Sequence, residues 1–140
     1  MTLLELQQAV CDALNADETL RLGGCEAMPE DALDIAATIA RRVKTARGVA
    51  LIVLTPRGDR SGSSSDGIPL DVPELGVAAV ELPTLNRARP GALTALAAAQ
   101  RAAVVLDSPE FAFKSLAQAE DEQAGLLTAT ATFSASIILT

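Results

Sequence analysis

Histidine is absent from this 140-residue chain. With it go the commonest general base, the usual partner of a nucleophilic serine or cysteine, and the commonest metal ligand. A serine–lysine pair could replace it, and Ser115 follows Lys114. Neighbours on a strand point to opposite faces, so these two do not form a dyad. Gly62 and Gly67 have part of the spacing of a phosphate-binding loop after a strand-like run. Ile68 and Pro69 stand where that loop needs Lys and a Ser or Thr opening a helix, so both the cation and the helix N-terminus are missing. Glu30, Asp31 and Asp34 cluster at an expected helix start, and Glu120, Asp121 and Glu122 in an expected turn. Neither trio has the spacing of a calcium loop, and helix-dipole complement and solvation account for both. Cys11 and Cys25 fall in different elements without metal-ligand spacing and read as reduced thiols. The Arg57, Gly58, Asp59 triplet matches an integrin-binding tripeptide and is read as coincidence. The expectation is a non-enzyme with no cofactor and no metal.

One domain, residues 1–140, is expected from the length. Only Phe111, Phe113 and Phe133 are aromatic, so the core must come from Ala, Val, Ile and Leu. Burial yields about 25 cal/mol per Å², so small side chains gain less each, and association becomes a second source of stability. A net charge of −7 and no Lys/Arg run beyond a pair argue against sequence-specific nucleic-acid binding. An acidic surface facing a passage would instead keep DNA from adhering. The N-terminus lacks a signal-peptide pattern and no apolar run has membrane-helix length, so a reducing cytoplasm, and no membrane partner, is expected.

Thr2 and Glu5 form a capping box ahead of Leu3, Leu6, Val10 and Leu14, predicting a helix to Asn15. A short strand over Cys25 to Met28 and a helix from Pro29 to Lys44, with Ile35, Ile39 and Val43 buried, come next. Val49 to Leu54 reads as a central strand. Residues 57–67 read as a flexible polar loop. Ile68 to Leu82 is extended but carries Pro69 and Pro73, which predicts an edge or entry strand. Pro90 and Gly91 precede a helix with Ala92, Leu96, Ala99, Ala103 and Leu106 on its inner side. A short strand over Phe111 to Leu116 and a polar turn over Glu120 to Gly125 lead to the last element. There Leu127, Ala129, Ala131, Phe133, Ala135, Ile137 and Leu139 alternate with Thr128, Thr130, Thr132, Ser134 and Ser136. At roughly 3.3 Å per residue this strand spans about 40 Å, and its free edge is expected to meet a neighbouring subunit. The fold class is α+β: a mixed, largely antiparallel sheet with two to three helices packed on it.

Glu81, Leu82, Pro83, Thr84, Leu85, Asn86 and Arg87 follow a strand and precede an alanine-rich helix, and Gly48 to Pro56 ends in Thr-Pro before a polar loop. Over residues 28 to 140 the chain here resembles the tail terminator and tail-completion proteins of long-tailed bacteriophages and prophages. It departs from their pattern in the alanine content of the last helix and in lacking an aromatic near that helix's end. The resemblance implies a tail-terminator-like fold and a virion structural protein that closes the tail tube near the head-tail junction. It also implies a homo-oligomeric ring, possibly a hexamer, with the tail tube protein and head-connector proteins as partners. Candidate interface residues are Arg57, Arg60, Glu81, Asn86, Arg87 and Arg89, arginine being suited to interface ion pairs. Locally, Pro83, Asn86 and Arg87 could equally serve the turn alone. The alternative is a small adaptor or regulatory module that captures a partner's strand on an exposed sheet edge.

Overall fold

Two strands of equal length form the backbone of the molecule. In the computed structural model, which describes residues 1–30, 49–88, 90–121 and 125–140, β4 (Ile68–Glu81) pairs antiparallel with β6 (Leu126–Leu139) from Ile68↔Leu139 to Glu81↔Leu127. Around this pair lie α1 (Leu3–Asn15), α2 (Glu18–Leu22), β1 (Glu26–Pro29), β2 (Ala50–Val53), β3 (Asp59–Arg60), α3 (Pro83–Asn86), α4 (Ala95–Leu106) and β5 (Phe111–Asp121). The sheet order is β1-β2-β4-β6-β5, with β3 beside β4 on the side that β2 occupies. Only β1 and β2 run parallel; the remaining pairings are antiparallel. This is the α+β class expected from the pattern of elements.

The alternation of β6 sets the two faces of the sheet. Ala129, Ala131, Phe133 and Ala135 are buried toward the helices, and the Thr and Ser residues lie on the opposite side. Phe133 is fully buried, with Phe111 at 4.8 Å and Phe113 at 5.8 Å between ring centroids, the second contact edge-on. Offset and edge-on rings are the favoured aromatic arrangements. α1 starts as its sequence predicts, Thr2 Oγ1 accepting the Glu5 N–H at 3.1 Å. Its buried Gln7 donates to Val53 O at 2.8 Å, and Asn15 at its far end both donates to Ala27 O (3.0 Å) and accepts from Ala27 N (2.8 Å). Two side chains of α1, one in its first half and one at its last residue, are thus hydrogen-bonded to the sheet.

Several expectations are corrected. β6 is not an edge: β4 flanks it on one side and β5 on the other, so its length is used inside the chain. β4 is likewise central despite its prolines. Pro73 lies in the register shift between Val72 and Leu75, where a missing N–H costs no ladder bond, and the strand is paired on both sides where proline is absent, at Leu70 and Asp71 and from Val77 to Val80. The 57–67 segment is not featureless. β3 turns back on β4 through Asp59↔Asp71 and Arg60↔Leu70, a Ser64–Gly67 bridge closes its tip, and Ser61 N donates to Pro69 O at 3.0 Å. β5 extends to Asp121, beyond the predicted Leu116. α4 buries Ala95, Ala98, Ala99 and Ala102, while Leu96 remains 37% exposed and Val104 69% exposed, so the inner face is rotated from the one expected. The smallest side chains allow the closest approach to the sheet, and the larger ones are turned outward. Pro29 ends β1 and Glu30 N donates to Val53 O at 2.8 Å; the rest of the expected 29–44 helix lies outside the described residues.

Asp17 caps α2, its Oδ2 accepting Leu20 N at 3.1 Å, and receives a two-pronged contact from Arg101 of α4 at 3.0 and 2.8 Å. The Arg101 hydrogen bond holds the Asp17 carboxyl below its ordinary value, overcoming the opposing effect of burial. Because the folded-state value is depressed, the pair contributes stability above the unfolded value of about 3.9 and loses it as pH falls through the lower folded value. Asp17→Asn should therefore lower the denaturation midpoint at neutral pH, with the gap to wild type shrinking below pH about 4. For the core, Phe133→Ala should cost about 3–5 kcal/mol in urea unfolding.

Candidate functional site

The Glu-x-Pro-x-x-Asn-Arg stretch folds into a buried polar turn between β4 and α4. Glu81 ends β4 on its helix-facing side and is 1% exposed. Its Oε1 accepts the Ala95 N–H at 2.9 Å in the first turn of α4, and its Oε2 accepts Asn86 Nδ2 at 2.7 Å. A carboxylate at this position meets both an unsatisfied helix N–H and the positive end of the helix dipole. Pro83 opens α3, where its missing N–H costs nothing, and Asn86 closes it. Asn86 Nδ2 donates again to Leu93 O at 2.7 Å, and Leu93 N donates to Gly23 O at 3.2 Å. A Cβ on Gly23 would lie 2.5 Å from Leu93 Cγ, so glycine is required for the α2 end to approach this turn. Asn86 Oδ1 is buried without a hydrogen-bond partner among the described residues.

The candidate interface residues thus separate. Glu81 and Asn86, the latter 2% exposed, lie inside the chain, where a neighbour cannot reach them; their polarity serves the turn. Arg87 is exposed and its Nη2 lies 3.6 Å from Glu81 Oε1, a loose ion pair. Arg57 is exposed and 3.3 Å from Asp59; Arg60 is exposed and donates through Nε to Gly62 O at 3.0 Å. Arg89 lies outside the described residues. The structure does not bring Arg57 and Arg60 together with Arg87 in one cluster: the former belong to the β3 hairpin, and the latter follows the opposite end of β4.

A surface that the sequence did not single out lies along β5. The two edges of the sheet are finished differently. Asn15 occupies both backbone groups of Ala27, which closes the outer side of β1 at that residue. On β5 only the first part is closed: Phe111 N donates to Ser108 O and Ser108 Oγ (3.2 and 3.1 Å), and Phe113 N to Asp107 Oδ1 (2.9 Å). A bulge at Lys114 follows, and from Ser115 to Asp121 the outer side of β5 has no partner strand among the described residues. Bulges and lysines commonly discourage edge pairing, and here they guard the beginning of the strand only. Between this edge and α4 runs a groove of about 520 Å³ lined by Gln100, Ala103, Val104, Asp107, Phe113 and Leu116. Phe113 is 38% exposed there.

Lys114 and Ser115 lie side by side on the exposed outer strand, and no cluster of three or more Cys, Asp or Glu residues able to hold a metal occurs among the described residues. Burial pushes the Cys11 thiol up to about 11, so it is protonated at neutral pH and poorly nucleophilic. No described helix is long and apolar enough to cross a membrane.

A scan against protein-family models finds no match, and a search of curated proteins finds no relative. Among solved structures, a chain from the virion of a native gene transfer agent particle has a similar fold. It superposes with a TM-score of 0.59 at 19% sequence identity over 96% of this chain and 95% of that one.

Asn86→Ala would remove the donor to Glu81 Oε2 and leave a buried carboxyl oxygen without one. It should cost about 3 kcal/mol in chemical denaturation, toward the top of the range for an orphaned buried group. The exposed Arg87→Ala should cost less than about 1 kcal/mol in the same measurement.

Proposed function

We propose that this chain is a non-enzymatic structural protein of a phage-like particle, acting as a tail terminator or tail-completion subunit. In this reading copies assemble into a ring, possibly a hexamer, on the end of the tail tube, and present a surface to the head connector. The observation that carries the proposal is the fold likeness to a gene transfer agent virion chain over nearly the whole of both chains, without a large insertion on either side. The resemblance of the Glu81 to Arg87 stretch to tail terminators supports the finer assignment, as does its role of fixing α4 to the end of β4.

The physical mechanism is steric closure by bound copies. A ring needs two different surfaces on each subunit, meeting head to tail. The open part of β5 and the apolar groove beside it provide one adhesive surface. A net charge of −7 would disfavour adhesion of DNA passing through the opening. The adaptor reading uses the same β5 edge to capture a strand from a different protein.

Electron microscopy of the purified chain, alone and mixed with purified tail tubes, distinguishes the two. Annular particles and tubes capped at one end are expected. Single particles at high concentration that leave tube ends bare would reject the terminator reading in favour of the adaptor.

A further inference from the structure

The connection from α4 to β5 folds back onto the strand it leads into. Asp107 N donates to Ala103 O at 3.0 Å and closes the last turn of α4. Ser108 and Phe111 then exchange both backbone bonds around Pro109 and Glu110, Ser108 N to Phe111 O at 2.9 Å and Phe111 N to Ser108 O at 3.2 Å. Proline is pre-set for the second position of such a four-residue turn. The turn lays Asp107 and Ser108 alongside the start of β5. There Ser108 Oγ also accepts Phe111 N at 3.1 Å, and Asp107 Oδ1 accepts Phe113 N at 2.9 Å. Phe111 N, Phe111 O and Phe113 N are thereby all used without a second strand. In an antiparallel ladder every second residue turns its N–H and C=O away from its partner, and here those residues are Phe111 and Phe113.

The position of this cover matches the composition of the strand. Phe111 to Phe113 is its aromatic and uncharged part, and both rings pack on Phe133. Aromatic residues favour strand pairing, and an apolar edge with free N–H groups is a template for another chain. From Ser115 onward the open part carries Gln118, Glu120 and Asp121, and the bulge at Lys114 separates the two parts. Charges and bulges deter edge pairing by themselves. Phe111 to Phe113 contains neither, and there the turn supplies the deterrent.

We infer that Asp107 and Ser108 form an edge lock: they occupy the outer backbone groups of Phe111 and Phe113 and keep this segment from pairing with the same segment of a second copy. Asp107 is the decisive member. Its side chain is the acceptor for Phe113 N, whereas Phe111 N retains the backbone acceptor Ser108 O if the Ser108 hydroxyl is removed. The lock concerns the covered part of β5 and does not depend on the assembly reading, which uses the open part.

Two substitutions separate the bond from the charge. Asp107→Asn keeps an Oδ1 acceptor and Asp107→Ala removes it. Asp107 is exposed, so both variants should fold. Asp17→Asn, which weakens a contact that does not involve β5, controls for growth caused by lost stability alone. Amide hydrogen exchange of the full chain reads the Phe113 N–H, and light scattering with thioflavin fluorescence reads mass and strand pairing at high concentration. In Asp107→Ala the Phe113 amide should exchange about tenfold faster than in wild type, and the sample should grow into large thioflavin-positive species. Wild type, Asp107→Asn and Asp17→Asn should hold a constant mass. Unchanged Phe113 exchange or unchanged mass in Asp107→Ala overturns the lock, as does equal growth of Asp107→Asn or Asp17→Asn.

Discussion

Alanine packing is the constraint on which the rest of this molecule depends. Ala95, Ala98, Ala99 and Ala102 of α4 share one buried cluster with Ala79 of β4 and Ala129 and Ala131 of β6. A helix with only methyl groups on its inner face lies close to the sheet, and dispersion is gained through many short contacts instead of large side chains. The cost is a small buried area per residue. The structure offsets it with a few concentrated features: the Phe111–Phe133–Phe113 arrangement, the Glu81–Asn86 turn, the Gln7 and Asn15 bonds of α1, and the Asp17–Arg101 contact between α2 and α4.

The same constraint leaves apolar side chains exposed on the α4–β5 flank. Because the small residues of α4 occupy the sheet side, Leu96 and Val104 must face outward, and the outer half of β5 has no partner strand among the described residues. Where the sheet could pair at β1, a side-chain amide closes it; at β5 the closure stops at the Lys114 bulge. Among the described residues the sheet is thus closed by a side chain at Ala27 on one side and open along the outer half of β5 on the other.

Much of the fold was legible because its periodicities are clean. Thr2 and Glu5 marked the start of α1, the alternation from Leu127 to Leu139 marked both faces of β6, and the apolar run before Pro56 marked β2. What was not legible depended on long-range partners. Alternation says which residues of β6 are buried but not whether its edges are free, so the long strand read as an interface when it is the centre of the sheet. Prolines in β4 read as an edge signal because a register shift cannot be seen locally. α4 has apolar residues on nearly every side, so periodicity could not choose its inner face, and side-chain size decided it. Of the candidate site, Glu81 and Asn86 were singled out by the Glu-x-Pro-x-x-Asn-Arg resemblance as interface candidates, with a local turn as the other reading for Asn86; their burial and bonds to Ala95 and Leu93 show the turn they hold. The β5 flank had a sequence signal, Val104 and Phe113 near Asp107, but it takes the β5–β6 hairpin to bring these together.

The proposal that identical copies of the chain assemble into a ring is tested most directly by native mass spectrometry of the unmodified chain across a concentration series. The account predicts a closed multiple of the chain mass that persists on dilution and has no ladder of ever larger species. A spectrum holding only the single chain at every concentration would contradict it.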